Sequence, residues 1–484
     1  MKNFRNTIKT TLTLYHVLST RIIILATCLI SCSFQEINSK NNGPVTSIIA
    51  VSAGWTDNGK SHICDWLAPH LDYCVRAQGI SASGQKITRN KHEYVFYHIP
   101  VGILTPHIIC YLTAGMIIDL KRFFKEIDDL ETQKHTVKER VKISTGAHLL
   151  MPYHVTLDIL SAQTGLKKSA MGIRNGACSA SADKRLGIGI RIADLMGDSF
   201  PEILKKNLTH ANEIITKIYA GTPISYTKTL AEFTEYKKKL KPFVRDRVEL
   251  KINHLLSQGK HILFEGAHGT YMDITHGAYP DTAAGGTITA AICADSGSGL
   301  ARAGHVIGVV KAYTTYPGTG NFPTEILDKT VTNKIQKSVS KTAKGIYRYG
   351  WPDMVMIRFA NMLNGFDSLA ITRLDDLDGL DKIYLCIDYD IDGKHFDFPP
   401  PMLSQMRLIK PHYVELPGWQ TVKNAKSFSD LPVNARIFIK KLEAMCSVPV
   451  SIVSVGPEQD QTFLVNDFGL ITNKSSLPQS SDHK

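Results

Sequence analysis

The sequence has few cysteines, and they follow no pattern that holds a metal or a disulfide framework. There are nine, an odd number scattered over 484 residues, and no two are spaced as Cys-x-x-Cys. Disulfide scaffolds and zinc sites need cysteines that are paired or regularly spaced. The sequence therefore excludes both, and it indicates buried thiols in a reducing compartment, for which we predict the cytoplasm.

Long hydrophobic runs are also absent. The apolar stretch near the start, residues 22–33, is shorter than the roughly 20 residues of a membrane-spanning helix, so we expect no stable membrane span. Residues 1–44 are basic, and Glu36 is their only acid. Two interpretations of this segment stay open: a targeting peptide for an organelle or membrane, and an extension outside the fold. We assign the main domain to residues 45–472 and expect a disordered tail over 473–484.

No block of like charge stands out, although the net charge is +12 and the pI is about 9.1. The basic residues are spread along the chain, and no aromatic–basic motif typical of RNA-binding modules is present. Spread positive charge suits a small polyanion. We therefore expect a nucleotide or another anionic metabolite as the ligand, and no nucleic-acid partner.

The sequence does contain one repeated pattern: a short β-branched run, a glycine-rich or polar loop, and an amphipathic stretch. The runs that predict strands are residues 46–53, 262–264, 305–310, 369–371 and 448–453. Strands that alternate with helices predict an α/β fold, in which helices cover both faces of a mostly parallel central sheet. Ligands bind beyond the carboxyl ends of such strands, so the loops after these runs are the predicted site.

Three further segments have residue patterns that predict a particular secondary structure. Residues 200–220 and 227–258 carry apolar residues at three- and four-residue spacing, which predicts two amphipathic scaffold helices. Residues 383–398 predict a small antiparallel addition, a β-hairpin with its turn at Asp392-Gly393.

The loop after the first predicted strand matches the phosphate-binding pattern G-x-x-x-x-G-K-[ST]. It runs from Gly54 to Ser61 between a predicted strand and a predicted helix, which is the context that the pattern requires. Its glycines let backbone amides face phosphate oxygens, while the helix N-terminus and Lys60 add positive potential. The competing interpretation is an ordinary glycine turn.

Asp57 is unusual inside such a loop, because a carboxylate repels phosphate. Its presence makes sense if it holds Mg²⁺, or if it acts as a base on a second substrate beside the γ-phosphate. Two histidines are harder to assign. His62 either faces phosphate or lies on the helix surface, and His154 is expected to be a hydrogen-bonded core residue.

From the phosphate loop onward, the chain resembles the adenylosuccinate synthetase family over about residues 46–470. The resemblance is carried by collinear blocks at residues 65–67, 75–79, 98–104, 153–158, 264–270, 276–280, 311–315, 322–325, 416–419 and 454–457. It implies a P-loop-like GTP-binding ligase fold. It also implies that IMP and L-aspartate are joined with GTP, in the presence of Mg²⁺ and by a homodimer, to give adenylosuccinate, GDP and phosphate.

The resemblance gives two positions a catalytic role. In the family, the loop aspartate takes the proton from N1 of IMP, so that O6 attacks GTP and forms 6-phosphoryl-IMP. Asp57 matches this base. Asp57 and the backbone oxygen of Gly84 also match the Mg²⁺ ligands of the family. Gln85 stands where the family has a histidine that acts as an acid toward the GTP phosphates. Glutamine transfers no proton, and such help is typically worth about 10²–10⁴-fold in rate.

The GTP contacts implied by the resemblance are well represented. Asp375 can accept both guanine N1–H and N2–H, a donor pair that adenine lacks, and Arg373 replaces a lysine over the base. A solvated acidic turn is the alternative interpretation of Asp375. The full set is Thr56, Asn58, Gly59, Lys60, Ser61, Gly84, Lys86, Arg348, Arg373, Asp375, Ser454 and Gly456.

The contacts to IMP and aspartate depart further from the family. Ile188 stands where an arginine reaches the IMP phosphate across the dimer, and Ile346 interrupts the arginine run that binds aspartate. Losing bidentate arginines weakens carboxylate binding. The substrate-binding residues implied by the resemblance are Arg191, His268, Thr282, Thr342 and Lys344.

Three hypotheses follow. The first, which we favour, is an active synthetase on the route from IMP to AMP, because Asp57, Lys60 and Asp375 are kept. The second is a GTP-binding pseudoenzyme that regulates or pairs with an intact synthetase, because the losses concentrate at IMP and aspartate contacts. The third is a ligase for another purine or amino acid.

Overall fold

The computed structural model describes residues 45–56, 58–79, 84–165, 175–300, 304–317, 320–338, 347–400 and 403–469. Within them the centre is a ten-stranded sheet in the order β19-β18-β14-β11-β1-β10-β2-β5-β7-β9. Neighbouring strands are parallel except β18 and β19. In chain order the strands are β1 Ser47–Ser52, β2 Tyr73–Arg76, β3 Gln85–Arg89, β4 His92–Phe96, β5 Ile109–Leu112, β6 Ile117–Ile118, β7 Val141–Ser144, β8 His148–Leu149, β9 Val244–Arg245, β10 Ile262–Gly269, β11 His305–Lys311, β12 Thr314–Pro317, β13 Tyr347–Gly350, β14 Ser368–Thr372, β15 Lys382–Ile391, β16 Lys394–Phe396, β17 Lys410–Pro417, β18 Val450–Ser454 and β19 Thr462–Leu464.

Helices cover both faces of this sheet. Alternate residues of β1 enter two different hydrophobic cores, Ile49 and Val51 in one and Ile48 and Ala50 in the other. The predicted α/β architecture is therefore confirmed. The helices are α1 Lys60–Leu67, α2 Leu120–Thr132, α3 Pro152–Gln163, α4 Ala177–Leu186, α5 Ile192–Met196, α6 Phe200–Glu213, α7 Tyr226–Leu240, α8 Val248–Ser257, α9 Thr289–Ser296, α10 Lys329–Ser338, α11 Met354–Asn364, α12 Leu403–Met406 and α13 Val433–Cys446.

The five predicted strands are five consecutive neighbours in the sheet, β18, β14, β11, β1 and β10. Their continuous apolar character fits this position, because a central parallel strand is buried on both faces. The predicted hairpin is also confirmed as β15 and β16. Its turn residues Asp392 and Gly393 both have positive φ, at 53° and 78°, as a tight two-residue turn requires.

The predicted helix over residues 227–258 is wrong as a single element. It is divided into α7 and α8, with the short strand β9 between them. Pro242 explains the break, since it lacks an N–H and its ring clashes with the preceding turn of a helix. Phe243 beside it is buried in the core, and Arg247 takes a left-handed φ of 42° before α8 begins.

The other predicted helix, over residues 200–220, forms α6 and continues as a π-turn over Ile214–Ile218. None of the helices in the described ranges is both long and apolar enough to cross a bilayer.

Candidate functional site

A cavity of about 200 Å³ lies at the carboxyl edge of the sheet. The ends of four neighbouring strands meet there, β1, β11, β14 and β18, where the sequence predicted a ligand. Their contributions to its wall include Gly59, Lys311, Arg373, Ser454 and Gly456. The cavity thus brings the end of the phosphate loop together with both segments that the resemblance assigns to guanine.

The phosphate loop is held against the end of β14. Gly59 has a φ of 83°, and α1 begins at the next residue, Lys60, which is buried. The Thr372 hydroxyl donates a hydrogen bond to the Asn58 carbonyl at 2.5 Å. A Cβ atom on Gly59 would lie 2.8 Å from the same hydroxyl, so the close approach requires glycine.

Other loop residues were predicted to bind GTP. Ser52 donates to the Thr56 carbonyl at 2.5 Å, and Ser61 is buried in the first turn of α1. Asp57 lies outside the described residues, so its predicted roles as base and Mg²⁺ ligand stay predictions.

His62 is a hydrogen-bonding group of the cavity wall. Its Nε2 lies 2.7 Å from Thr462 Oγ1 and 3.1 Å from Ser454 Oγ. Burial, with a further contribution from the charge of Arg373, lowers the pKa of His62 to about 4. The ring is therefore neutral near pH 7 and adds no charge for phosphate. His154, by contrast, is a hydrogen-bonded core residue as predicted, 2.9 Å from Asp183.

The carboxylate of Asp375 has an unused acceptor. Its Oδ1 is buried and has no hydrogen-bond partner among the described residues. Burial, followed by the nearby charge of Asp376, raises the pKa of Asp375 to about 6, while Arg373 opposes the rise. Asp376 is itself buried and accepts from Tyr313 at 2.7 Å, so this segment is not a solvated acidic turn. A buried acceptor without a donor is a feature that a guanine base can satisfy.

The hairpin β3–β4 forms a second wall, in which strand alternation decides which side chains reach the cavity. Gly84 and Lys86 line it, and the Lys86 ammonium lies 3.2 Å from Glu93. Gln85 between them is 2% exposed, does not line the cavity, and has an Oε1 without a partner in the described residues.

The same alternation applies to β13, which pairs antiparallel with β12. Arg348 Nη1 lies 2.6 Å from Glu325, and its guanidinium stacks over Tyr316 at 5.1 Å. Its neighbours Tyr347 and Tyr349 line the cavity instead. Sequence reasoning missed both tyrosines, although their alternation with a retained arginine on a strand was the available signal.

Comparison with known proteins agrees with this geometry. The family model for adenylosuccinate synthetase matches residues 49–463. The adenylosuccinate synthetase of Caldanaerobacter subterraneus subsp. tengcongensis is 38% identical over 425 residues, which cover 87% of this chain and 99% of the relative. That of Clostridium kluyveri is 36% identical over 428 residues, which cover 87% of this chain and 100% of the relative.

A solved structure agrees as well. Fully ligated adenylosuccinate synthetase from Plasmodium falciparum matches with a TM-score of 0.81 and 27% identity, covering 88% of this chain and 100% of that one. This chain belongs to the adenylosuccinate synthetase family. The predicted function, a ligase that uses GTP to join IMP to aspartate, is confirmed at the level of the family.

The substrate-side residues are placed at several points outside the wall of the cavity. His268 lies in β10, at the same sheet edge, with a φ of 55°. Thr282 is half-buried in the loop before α9. Arg191 directly precedes α5 as its N-cap residue, and its partly exposed side chain lies 3.3 Å from Asp194. Thr342 and Lys344 lie outside the described residues.

Proposed function

We propose that this chain itself catalyses the family reaction, with GTP in the cavity at the carboxyl edge of the sheet. The observation that carries the proposal is the convergence of β1, β11, β14 and β18 on one cavity. Gly59, at the phosphate loop, and Arg373 and Ser454, at the guanine segments, share its wall. A single nucleoside triphosphate can therefore contact all three.

The guanine end would be read by Asp375. Its buried Oδ1 lacks a donor in the described residues, and guanine N1–H or N2–H would supply one. A site built to satisfy such a group rejects a base that lacks the donor, because the carboxylate then stays unpaired in a buried position. Arg373 and the backbone at Gly456 would complete this end.

The phosphate end would use the N-terminus of α1 together with two lysines. The amides at Gly59 and Lys60 lie where the helix concentrates positive potential. Lys86 brings a second ammonium to the cavity wall. Because His62 is neutral, the charge that faces the phosphates would come from these lysines and from Lys311, which also lines the cavity.

Asp57 would act beside the γ-phosphate as the base that removes the N1 proton of IMP, so that O6 can attack. Asp57 and the backbone oxygen of Gly84 would also hold Mg²⁺, since carboxylate and carbonyl oxygens are the ligands that this ion prefers. Gly84 lines the cavity, and a Cβ there would lie 3.0 Å from the Tyr97 ring, so a side chain at this position would crowd that ring. Bound Mg²⁺ neutralises phosphate charge during transfer.

The remaining assignments are proposals of the same kind. IMP and aspartate would be bound by Arg191, His268, Thr282, Thr342 and Lys344. Gln85 would occupy the position of the family's acid, but its buried side chain does not line the cavity, so we assign no step to it. A homodimer is supported by two apolar side chains at the end of α4, Leu186 (72% exposed) and Ile188 (37% exposed). Ile188 is where the family places the arginine that crosses the dimer.

A cytoplasmic location is supported by the seven cysteines in the described part of the chain, which are all free. The division into a segment over residues 1–44, a catalytic domain over 45–472 and a tail over 473–484 is also a proposal.

The test is adenylosuccinate formation by the full chain with IMP, aspartate and Mg²⁺, followed by ultraviolet absorbance. We expect product with GTP and little or none with ATP, because ATP offers Asp375 no donor pair. GTP binding without product would support the pseudoenzyme instead. Product from another purine or amino acid, but not from IMP and aspartate, would support the ligase of altered specificity.

A further inference from the structure

The small antiparallel sheet of β16, β15 and β17 carries three metal-ligating side chains. We propose that Asp388, His395 and His412 form a binding site for one divalent transition-metal ion of the Zn²⁺ class. The three residues come from three different strands, and their ligand atoms all lie within 4.8 Å of one another.

Strand register explains why these side chains share a face. Asp388 lies directly opposite His412 in the β15–β17 pair, and Asp390 lies opposite His395 in the β15–β16 pair. Directly paired residues point to the same face of a sheet, and Asp388 and Asp390 are two residues apart on one strand. All three ligands therefore project from one side.

The opposite face of this sheet is fixed by packing. Tyr389 is 1% exposed and belongs to a hydrophobic cluster against which Phe396 and Tyr413 pack. Tyr389 also donates a hydrogen bond to the buried Asp353 at 2.5 Å. The backbone that carries the ligands is thus held in place, and this pre-organisation lowers the entropy cost of binding an ion.

The distances are close to those of a metal site. His412 Nδ1 lies 2.5 Å from Asp388 Oδ1, and His395 Nδ1 lies 3.5 Å from the same oxygen. Nitrogen and oxygen ligands about 2.0–2.2 Å from a tetrahedral Zn²⁺ lie roughly 3.3 Å apart. The required shifts are about 1.5 Å or less, because the three ligand atoms lie within 4.8 Å of one another. The imidazoles, 69% and 44% exposed for His395 and His412, can make them by side-chain rotation.

The chemistry of the donors selects the class of ion. Two imidazoles and one carboxylate suit Zn²⁺, Cu²⁺ or Ni²⁺, whereas Mg²⁺ prefers oxygen ligands and retains its water. The exposed face leaves a fourth position for water. Beside the cluster, Lys410 lies opposite Asp390 in the β15–β17 pair, so these two neighbouring charges are of opposite sign. None of the three ligands lines the cavity proposed for GTP, so this site is separate from the proposed Mg²⁺ ligands.

The test is calorimetric titration of Zn²⁺ into the full chain, with excess Mg²⁺ present to occupy oxygen-only sites. We compare the wild type with His395→Gln and His412→Gln. The matched control is His210→Gln, which changes an exposed histidine on α6 far along the chain from the cluster. We expect one Zn²⁺ equivalent in the wild type and the control, weakened at least tenfold in both cluster variants.

A second measurement guards against misfolded variants. Zn²⁺ should raise the melting temperature of the wild type but not of Asp388→Asn, while the melting temperatures of the two proteins without Zn²⁺ stay close. Unchanged Zn²⁺ binding in His412→Gln, or no stoichiometric binding in the wild type, would overturn the proposal. In that case the three side chains form only a hydrogen-bonded surface cluster.

Discussion

At the scale of single residues, the proposed guanine site depends on side chains whose hydrogen-bonding capacity is not used in the described part of the protein. Asp375 is the main example, because its Oδ1 is buried without a donor in the described residues and its pKa is raised to about 6. Leaving such a group unpaired costs free energy, which a bound guanine would recover. We therefore propose that selectivity for guanine depends on this carboxylate, which lies two residues beyond Arg373 of the cavity wall.

Asp375→Asn should change the preferred base. The asparagine amide can still accept guanine N1–H, but its N–H₂ group then meets the guanine amino group. We expect GTP affinity to fall about 10- to 100-fold, the worth of a hydrogen bond to a charged group. XTP, which has a carbonyl in place of the amino group, should bind the variant better than GTP.

The measurement is nucleotide titration by calorimetry. Asp381→Asn, which changes an exposed carboxylate six residues away, is the control and should leave both affinities unchanged. An unaltered preference for GTP in Asp375→Asn would remove this residue from the guanine site.

GTP binding should also weaken in mild acid. A carboxyl group with a pKa near 6 is ionised at pH 7.5 and mostly protonated at pH 5, where it has lost part of its capacity to accept. We expect an affinity loss of about tenfold between these pH values, one order of magnitude per pKa unit. The loss attributable to Asp375 should be absent in Asp375→Asn, and identical pH profiles for the two proteins would contradict the assignment.

At the scale of elements, the sequence predicted strands and loops better than the directions of side chains. The five buried strands could be predicted because central parallel strands are continuously apolar, and the phosphate loop because its residues match a local pattern. Gln85 and Arg348 lie in segments that border the cavity, but neither residue lines it. Their side chains point away from the cavity, because the pairing of β3 with β4 and of β12 with β13 determines which face each side chain takes.

The division between α7 and α8 was missed for a related reason. The apolar spacing continues across residues 241–247, and only Pro242 signals the break. Periodicity alone cannot distinguish a single helix from two helices whose buried faces happen to remain in phase.

Strand alternation makes a direct prediction for β3. Lys86→Met should raise the KM for GTP about tenfold, because Lys86 lines the cavity. Gln85→Met, a near-isosteric change at a buried position, should leave that KM within about twofold. Steady-state kinetics would decide, with Lys91→Met at the exposed tip of the same hairpin as the control. The reverse order of effects would place Gln85, and not Lys86, at the phosphates.

A substitution at Gly59 tests how tightly the phosphate loop is packed. Gly59→Ala combines a left-handed φ of 83° with a contact of 2.8 Å to Thr372. Gly259→Ala is the matched control, since its φ is 70° and no atom would lie within 4 Å of the new Cβ. The control should lower the free energy of unfolding by about 1–2 kcal/mol, the usual cost of a left-handed alanine.

Gly59→Ala should lower the free energy of unfolding, measured by urea denaturation, by more than Gly259→Ala does. It should also weaken GTP binding at least tenfold. Equal effects of the two substitutions on stability and on GTP affinity would mean that the contact with Thr372 does not position the loop.

At the scale of the whole molecule, the fold of the adenylosuccinate synthetase family is kept along the chain, while the resemblance implies that the contacts to its substrates are kept unevenly. The family model covers residues 49–463, and the cavity that we propose for GTP is lined by Gly59, Arg373 and Ser454. Ile188 and Gln85 replace family residues on the IMP and acid–base sides. Our account requires that the retained base, Asp57, is sufficient for ligation.

The most direct test of that claim compares the full wild-type chain with Asp57→Asn, following adenylosuccinate formation and measuring GTP affinity in parallel. We predict turnover by the wild type, a loss of about 10²-fold or more in the variant, and GTP affinities that agree within a few-fold. The account would be contradicted if the two proteins bind GTP equally and neither forms adenylosuccinate. It would also be contradicted if both form adenylosuccinate at the same rate.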